Sequence, residues 1–146
     1  MFWKWHVIPL ISLPLGISMS DASPHSPSDL PTLDRSRLDE LREIDPPENP
    51  ETLITLLELF FDTTPALYQQ LLDALSNGDT EAIRRHAHKL AGSCGNFGGA
   101  RATCICRAMD TAADLPAMLA LQPSLEQACM EFFGLLRQEL DALPRV

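Results

Sequence analysis

Residues 80–99 read TEAIRRHAHKLAGSCGNFGG, and this stretch decides the fold. Its apolar side chains recur at intervals of four, three, four and three residues, namely Ile83, Ala87, Leu90, Cys94 and Phe97. That spacing places all of them on one side of an α-helix, as a seam that packs into a core. We therefore predict a helix over residues 80–96, which the following Phe-Gly-Gly sequence ends.

The same pattern predicts further helices on both sides of this stretch. Apolar residues at helical spacing indicate them at about residues 34–44, 50–75, 100–113 and 124–143. Pro65 is expected to break or kink the second of these, because proline lacks a backbone N–H. No segment alternates apolar and polar residues in the way that predicts a strand. The predicted fold is all-α, an antiparallel four-helix bundle with one or two short leading helices.

Composition limits the classes of protein that this chain can belong to. Its 146 residues suit one domain, and 45% apolar residues are enough to bury a core. The net charge of −9 argues against nucleic acid or an anionic membrane as the main partner, because both are negatively charged. The four cysteines are too few and too clustered for a disulfide framework. We expect a cytoplasmic monomer with reduced thiols.

The N-terminal residues 1–31 are predicted to be a disordered tail and linker. The apolar run 7–17 resembles a short signal peptide, but two prolines interrupt it and no small-residue cleavage motif follows. We interpret this part as an unstructured tail, or as an extension upstream of a natural start at Met19. Residues 21–31 form a linker rich in serine and proline. The helical bundle is therefore predicted to occupy residues 32–146.

The face of the predicted helix that carries His88 has an unusual composition. At about 100° per residue, His88 lies about 140° from the apolar seam and points to solvent, whereas His86 lies at the edge of the seam. The face of His88 also carries Arg84, Arg85, Ala91, Gly92 and Gly95. Two glycines inside a helix cost about 2 kcal/mol relative to alanine, so something should offset that cost. An open platform beside the imidazole would let another protein approach it; close helix packing is the alternative, and it fits Gly92 poorly.

Positive charge is concentrated around the same helix. Residues 84–107 contain five of the eleven basic residues and no acidic residue; the five are Arg84, Arg85, Lys89, Arg101 and Arg107. Such a neighbourhood would stabilise a phosphoryl group on a histidine and attract an acidic partner. A solvated basic surface without such a role is the alternative interpretation.

Other chemistries receive little support from the sequence. His86 and His88 point about 160° apart on a helix, so they cannot share a metal ion, and no metal site is predicted. No glycine-rich loop follows a strand, which argues against nucleotide binding. No oriented carboxylate partner for His88 is evident, so a hydrolytic dyad is not predicted.

The motif Ala87-His88-Lys89-Leu90-Ala91-Gly92-Ser93, followed by Phe97-Gly98, resembles the phosphorylation motif of histidine phosphotransfer (HPt) domains. The resemblance extends over about residues 33–143 and includes Leu59-Phe60-Phe61, Thr64-Pro65, Cys106-Arg107 and Met109-Asp110. Ala91 stands where the family usually carries a lysine. Arg84, one turn before His88, is our predicted substitute for that cation, and Lys89 lies on the flank of the same face.

The resemblance implies a function as a phosphoryl carrier. HPt domains accept a phosphoryl group from the phosphoaspartate of a receiver domain onto their histidine, here His88, and pass it to another receiver. The implied partners are the receivers of a hybrid histidine kinase or a response regulator. The resemblance further implies no kinase activity and no bound cofactor, with Mg²⁺ held by the receiver. The alternative is a helical adaptor that docks receivers or other signalling proteins without being phosphorylated.

Overall fold

The computed structural model describes residues 26–145, and all regular elements in that part of the chain are helices. They are α1 (Arg35–Arg42), α2 (Glu51–Asn77), α3 (Thr80–Asn96), α4 (Ala100–Asp110), α5 (Leu115–Ala120) and α6 (Gln122–Ala142). Helices α2, α3, α4 and α6 form the bundle, and α1 precedes it, so the predicted all-α fold is confirmed. None of the described helices is long and apolar enough to cross a membrane.

Helix α3 has the bounds that the sequence predicts. The carboxylate of Asp79 accepts a hydrogen bond from the Ala82 N–H at 3.1 Å and caps the first turn. At the other end Gly98 has φ +85°, and a side chain there would collide with the Asp34 carbonyl. The close approach of the two backbones permits a hydrogen bond, in which the Asp34 N–H donates to the Gly98 carbonyl at 2.7 Å. The turn between α3 and α4 is therefore locked against the start of α1.

The predicted seam of α3 faces the core of the bundle. Ile83, Ala87, Leu90 and Cys94 are fully buried. All four cysteines are free, and Cys94 lies against Cys129 of α6. A hydrogen bond with Cys129, together with burial, raises the pKa of the Cys94 thiol far above its usual range. Cys94, Cys106 and Cys129 are buried core side chains, whereas Cys104 is only partly buried.

Two details of the helix pattern differ from the sequence-based prediction. Helix α2 continues through Pro65, so the predicted break is wrong. The missing N–H costs one backbone hydrogen bond, but the helix buries Leu57 and Phe60 before the proline and Leu71 after it. Helix α5 was not predicted, because a six-residue element is too short to show a helical period.

The predicted boundary of the tail at residue 31 is also wrong. Residues 27–29 form a 3₁₀ turn, and the guanidinium of Arg101 donates to the carbonyl of Pro27 at 3.2 Å and to that of Leu30 at 2.9 Å. The backbone N–H of Arg101 donates to the Pro31 carbonyl at 3.2 Å. Residues 27–31 therefore belong to the folded part, and Arg101 holds them there. The remainder of the predicted tail, residues 1–25, lies outside the described residues.

Charged contacts hold α1 against α6. The carboxylate of Glu139 accepts hydrogen bonds from Arg35 and from Arg42, the latter at 2.8 Å. Partial burial by itself raises the pKa of Glu139, but the hydrogen bonds from the two arginines outweigh burial and leave the pKa below its usual value. Helix α1 is thereby fixed over the end of the bundle where α3 turns into α4.

Candidate functional site

His88 lies in the middle of α3 on the face opposite the core seam. Its side chain is 79% exposed, as the helical geometry predicts. His86 points to the other side, where its Nδ1 is buried and has no hydrogen-bond partner among the described residues. The two histidines therefore differ in access, because the side chain of His88 is exposed and that of His86 is only partly exposed.

The imidazole of His88 has a carboxylate partner. Its Nδ1 lies 3.3 Å from Oδ2 of Asp110, the last residue of α4. An ionised carboxylate only accepts hydrogen bonds, so this contact places the ring proton on Nδ1. Nε2 then keeps its lone pair and is the nitrogen available for reaction. The sequence-based expectation that His88 lacks an oriented carboxylate is thus wrong.

The position of Asp110 follows from the tight turn between α3 and α4. In an antiparallel helical hairpin, residues at similar distances from the turn lie side by side. His88 is ten residues before Gly98 and Asp110 is twelve residues after it. Part of the signal was therefore present in the sequence, because the similar spacing from the Phe-Gly-Gly turn places Asp110 level with His88, although it does not specify which faces of the two helices meet.

Arg84 belongs to the same cluster through its contact with Asp110. Its Nη1 donates to the Asp110 carbonyl at 2.6 Å. That carbonyl is at the C-terminus of α4, where backbone acceptors lack partners within the helix and carry partial negative charge. The structure therefore brings together Arg84, Asp110 and His88, with the cation joined to the residue that contacts the imidazole.

The two predicted glycines of this face have different surroundings. Gly92 is exposed, and a side chain added there would meet nothing within 4 Å. Gly95 is also exposed, but its side chain would make an ordinary contact with Thr103 of α4, at 3.5 Å. Open space beside His88 is therefore confirmed at Gly92, whereas Gly95 lies at the edge of the helix contact.

Ala91 does not lie on the exposed face, and this part of the prediction is wrong. Its exposure is 5%, and its carbonyl accepts a hydrogen bond from the Thr103 hydroxyl at 3.5 Å. Helix α4 packs closely against α3 on this side and covers the position. The small side chain of Ala91 permits that packing.

Apart from Arg84, the basic residues between positions 84 and 107 divide into two groups. Arg85, Lys89 and Arg107 are exposed on α3 and α4, as a basic face requires. Arg101 instead binds the N-terminal turn, and its Nη1 lies 3.6 Å from Oε1 of Glu131, so its assignment to the positive neighbourhood of His88 is wrong.

Within residues 26–145 no group of three or more histidine, cysteine, aspartate or glutamate side chains is arranged to hold a metal ion.

Comparisons with known proteins identify relatives of this fold. The family model described as Hpt domain matches residues 55–145, a range that contains all of α3 and α4. Among solved structures, histidine-containing phosphotransfer protein B (HptB) from Pseudomonas aeruginosa PAO1 is similar, with 26% sequence identity and a TM-score of 0.65. The similarity covers 76% of this chain and 96% of that chain. No curated protein matches the sequence.

Proposed function

Because the chain belongs to the Hpt domain family, we propose that His88 is the residue that carries its phosphoryl group. The protein is a histidine phosphotransfer protein of a phosphorelay. The observation that carries the assignment is the exposed imidazole of His88, whose Nδ1 contacts Asp110 and whose neighbour on the next turn is the open position Gly92. His86, the other histidine of α3, lacks this access.

The chemistry at His88 is a nucleophilic displacement on phosphorus. The lone pair of Nε2 forms the N–P bond while the bond between phosphorus and the aspartate oxygen of the receiver breaks. The ring becomes positively charged and keeps its proton on Nδ1, where the carboxylate of Asp110 stabilises that charge. No proton has to leave the site, so the same contacts also serve the onward transfer of the phosphoryl group from His88 to the next receiver.

The proposed partners are receiver domains of a hybrid histidine kinase or of a response regulator. Their acidic phosphorylation pocket complements the exposed basic residues Arg85, Lys89 and Arg107. In this proposal the receiver holds the Mg²⁺, and the chain binds no cofactor and has no kinase activity of its own. We also propose that it acts as a monomer in the cytoplasm, where it meets these partners.

The direct test is to incubate the protein with phosphorylated receivers, one at a time, in the presence of Mg²⁺. A label on the protein that is labile in acid and stable in base identifies phosphohistidine. Stoichiometric binding to receivers without any label would instead support the adaptor, and it would contradict the proposal.

Asp110→Asn is expected to slow phosphoryl transfer about fivefold to tenfold, because an amide cannot stabilise the charged ring as a carboxylate does. Single-turnover transfer from a phosphorylated receiver measures the rate. The ¹⁵N chemical shifts of the His88 ring report the tautomer, and we expect a smaller Nδ1–H population in the variant. Asp110→Glu is the control that keeps the charge. An unchanged rate and an unchanged tautomer in the Asn variant would show that the contact has no role.

Arg84→Ala is expected to slow transfer, or to shorten the lifetime of phosphohistidine, more than Lys89→Ala does. Arg84 is held at Asp110 by its hydrogen bond to the carbonyl, whereas Lys89 lies about 100° away from His88 around the helix. The site is open to solvent, so we expect about 1 kcal/mol, or roughly fivefold. The reverse ranking would mean that Lys89 supplies the cation.

A further inference from the structure

A groove between α1 and α4 has a mainly apolar lining. Its volume is about 820 Å³, and its lining includes the small or apolar residues Leu30, Gly95, Ala100, Cys104 and Ala108. We call this feature the α1–α4 groove. Ligand sites typically have volumes of about 300–1,000 Å³, so a groove of this size can hold several apolar side chains.

The charged residues that line the α1–α4 groove balance one another. Arg37 and Arg107 are positive, whereas Asp34 and Glu40 are negative. Arg37 is already paired with Glu40, because its Nη1 lies 2.7 Å from the carboxylate. The groove therefore carries no net charge, and an uncharged apolar occupant fits it better than a strongly acidic surface does.

The chain itself contains an apolar run that the proposed function does not use. Residues 7–17 read VIPLISLPLGI, with seven large aliphatic side chains and no charged residue. Apolar side chains in such a run are unfavourable in water, and burial against another apolar surface removes that cost. A mainly apolar groove without net charge is a surface of this kind.

The run is connected to the bundle beside the groove. Leu30 lines the groove, and the first residue that the structure describes, Ser26, lies only four positions before it. Nine residues link Ile17 to Ser26 and can span about 30 Å, whereas the α4 side of the groove, residues 100–111, is about 17 Å long. Residues 7–17 can therefore reach the groove of their own chain. A short tether of this kind provides an effective concentration of about 1 mM, so even a weak contact would be occupied.

We propose that residues 7–17 bind in the α1–α4 groove of the same chain and restrict the access of receivers to His88. Gly95 lies two turns from His88 on the same face of α3, about 10 Å along the helix axis. A specific interface covers about 800 Å² on each partner, which corresponds to a disc of about 16 Å radius. A receiver centred on His88 would therefore meet the bound segment. The effect on access rests on the proposed function, since it takes receivers as the donors, whereas the binding of the segment does not.

The thiol of Cys104 reports whether the groove is occupied. Cys104 lines the groove and is partly buried, whereas the other three cysteines are buried, so its alkylation by iodoacetamide in the full chain can be followed by mass spectrometry. Leu10→Asp combined with Leu13→Asp is expected to raise the rate at least about fivefold, which is the increase when a segment that covers the thiol for about 80% of the time is released. Ser20→Asp combined with Ser23→Asp is the matched control, because it adds the same two charges outside the apolar run. The control is expected to leave the rate unchanged.

Two results of the alkylation experiment would overturn the proposal. The first is an equal rate in the unsubstituted protein and in both variants. The second is protection of Cys104 that disappears on about hundredfold dilution, because the groove would then be filled by the segment of a second copy.

Phosphoryl transfer tests the effect on access separately. The variant with Leu10→Asp and Leu13→Asp is expected to accept the phosphoryl group from a receiver at least about fivefold faster than the unsubstituted protein. Phosphoramidate is a small donor that needs no docking surface, so its labelling rate should change less than about twofold. An equal rate of transfer from receivers would overturn the restriction of access. If no donor labels His88, the proposed function fails, and the alkylation of Cys104 still decides whether the segment binds the groove.

Discussion

Replacing His88 with glutamine is expected to abolish labelling by every phosphorylated receiver and by phosphoramidate. Glutamine is polar and of similar size, but its amide nitrogen has no nucleophilic lone pair for attack on phosphorus. Because the side chain of His88 is 79% exposed, we expect the free energy of unfolding to change by no more than about 0.5 kcal/mol. Phosphate incorporation is measured on native protein, with circular dichroism to show that the fold is intact.

His86→Gln is the matched control for this experiment, since it changes the other histidine of the same helix. It should keep the label, because His86 points away from the face that receivers approach. It is also expected to cost more stability than the His88 variant, as the Nδ1 of His86 is buried. Equal labelling of the His88 variant would contradict the assignment outright, and loss of label in the His86 variant alone would transfer the role to that residue.

Substitution of Gly92 by glutamate is expected to reduce transfer from a receiver about 100-fold, which corresponds to about 2.7 kcal/mol. The new carboxylate would lie one turn from the imidazole and would repel both the phosphoryl group and the acidic pocket of the receiver. The fold should tolerate the change, because a side chain at this position meets nothing within 4 Å. Helix stability should be equal or higher, since glycine is the poorer helix former by about 1 kcal/mol.

Gly134→Glu supplies a control with the same local environment. Gly134 is an exposed glycine of α6, and a side chain there also meets nothing within 4 Å. This variant should transfer normally. Gly92→Leu, which adds bulk without charge, should lose receiver binding for steric reasons and keep its labelling by phosphoramidate. If both Gly92 variants bind receivers with unchanged affinity, the face of His88 is not the interface.

The parts of the fold that could be predicted are those specified by neighbouring residues. The bounds of α3 follow from the Asp79 cap and the Phe-Gly-Gly turn, and its buried seam follows from the spacing of apolar residues. The continuity of α2 through Pro65 could not be predicted, because it depends on the core contacts that offset a missing hydrogen bond. Helix α5 is too short for its sequence to show a period.

The features of the candidate site likewise divide into those that the sequence could predict and those that it could not. The exposure of His88 and the open space at Gly92 are properties of a single helix, and the helical geometry predicted both. The burial of Ala91 and the contact with Asp110 depend on the side from which α4 packs against α3. The period of one helix does not contain that information. Arg101 shows the same limit, because its charge fits the basic face while its position on α4 directs it to the N-terminal turn.

The hydrogen bond between Arg84 and the Asp110 carbonyl has a consequence for how the site forms during folding. The two residues are separated by 26 positions, and His88 lies between them in the sequence. The imidazole, the carboxylate that contacts it and the guanidinium bound to the same aspartate are therefore all supplied by one helical hairpin. Closing a loop of this length costs little entropy, and contacts this local form quickly. The contacts of the site therefore join residues that are close in the sequence, and α3 and α4 supply them without any residue of α6.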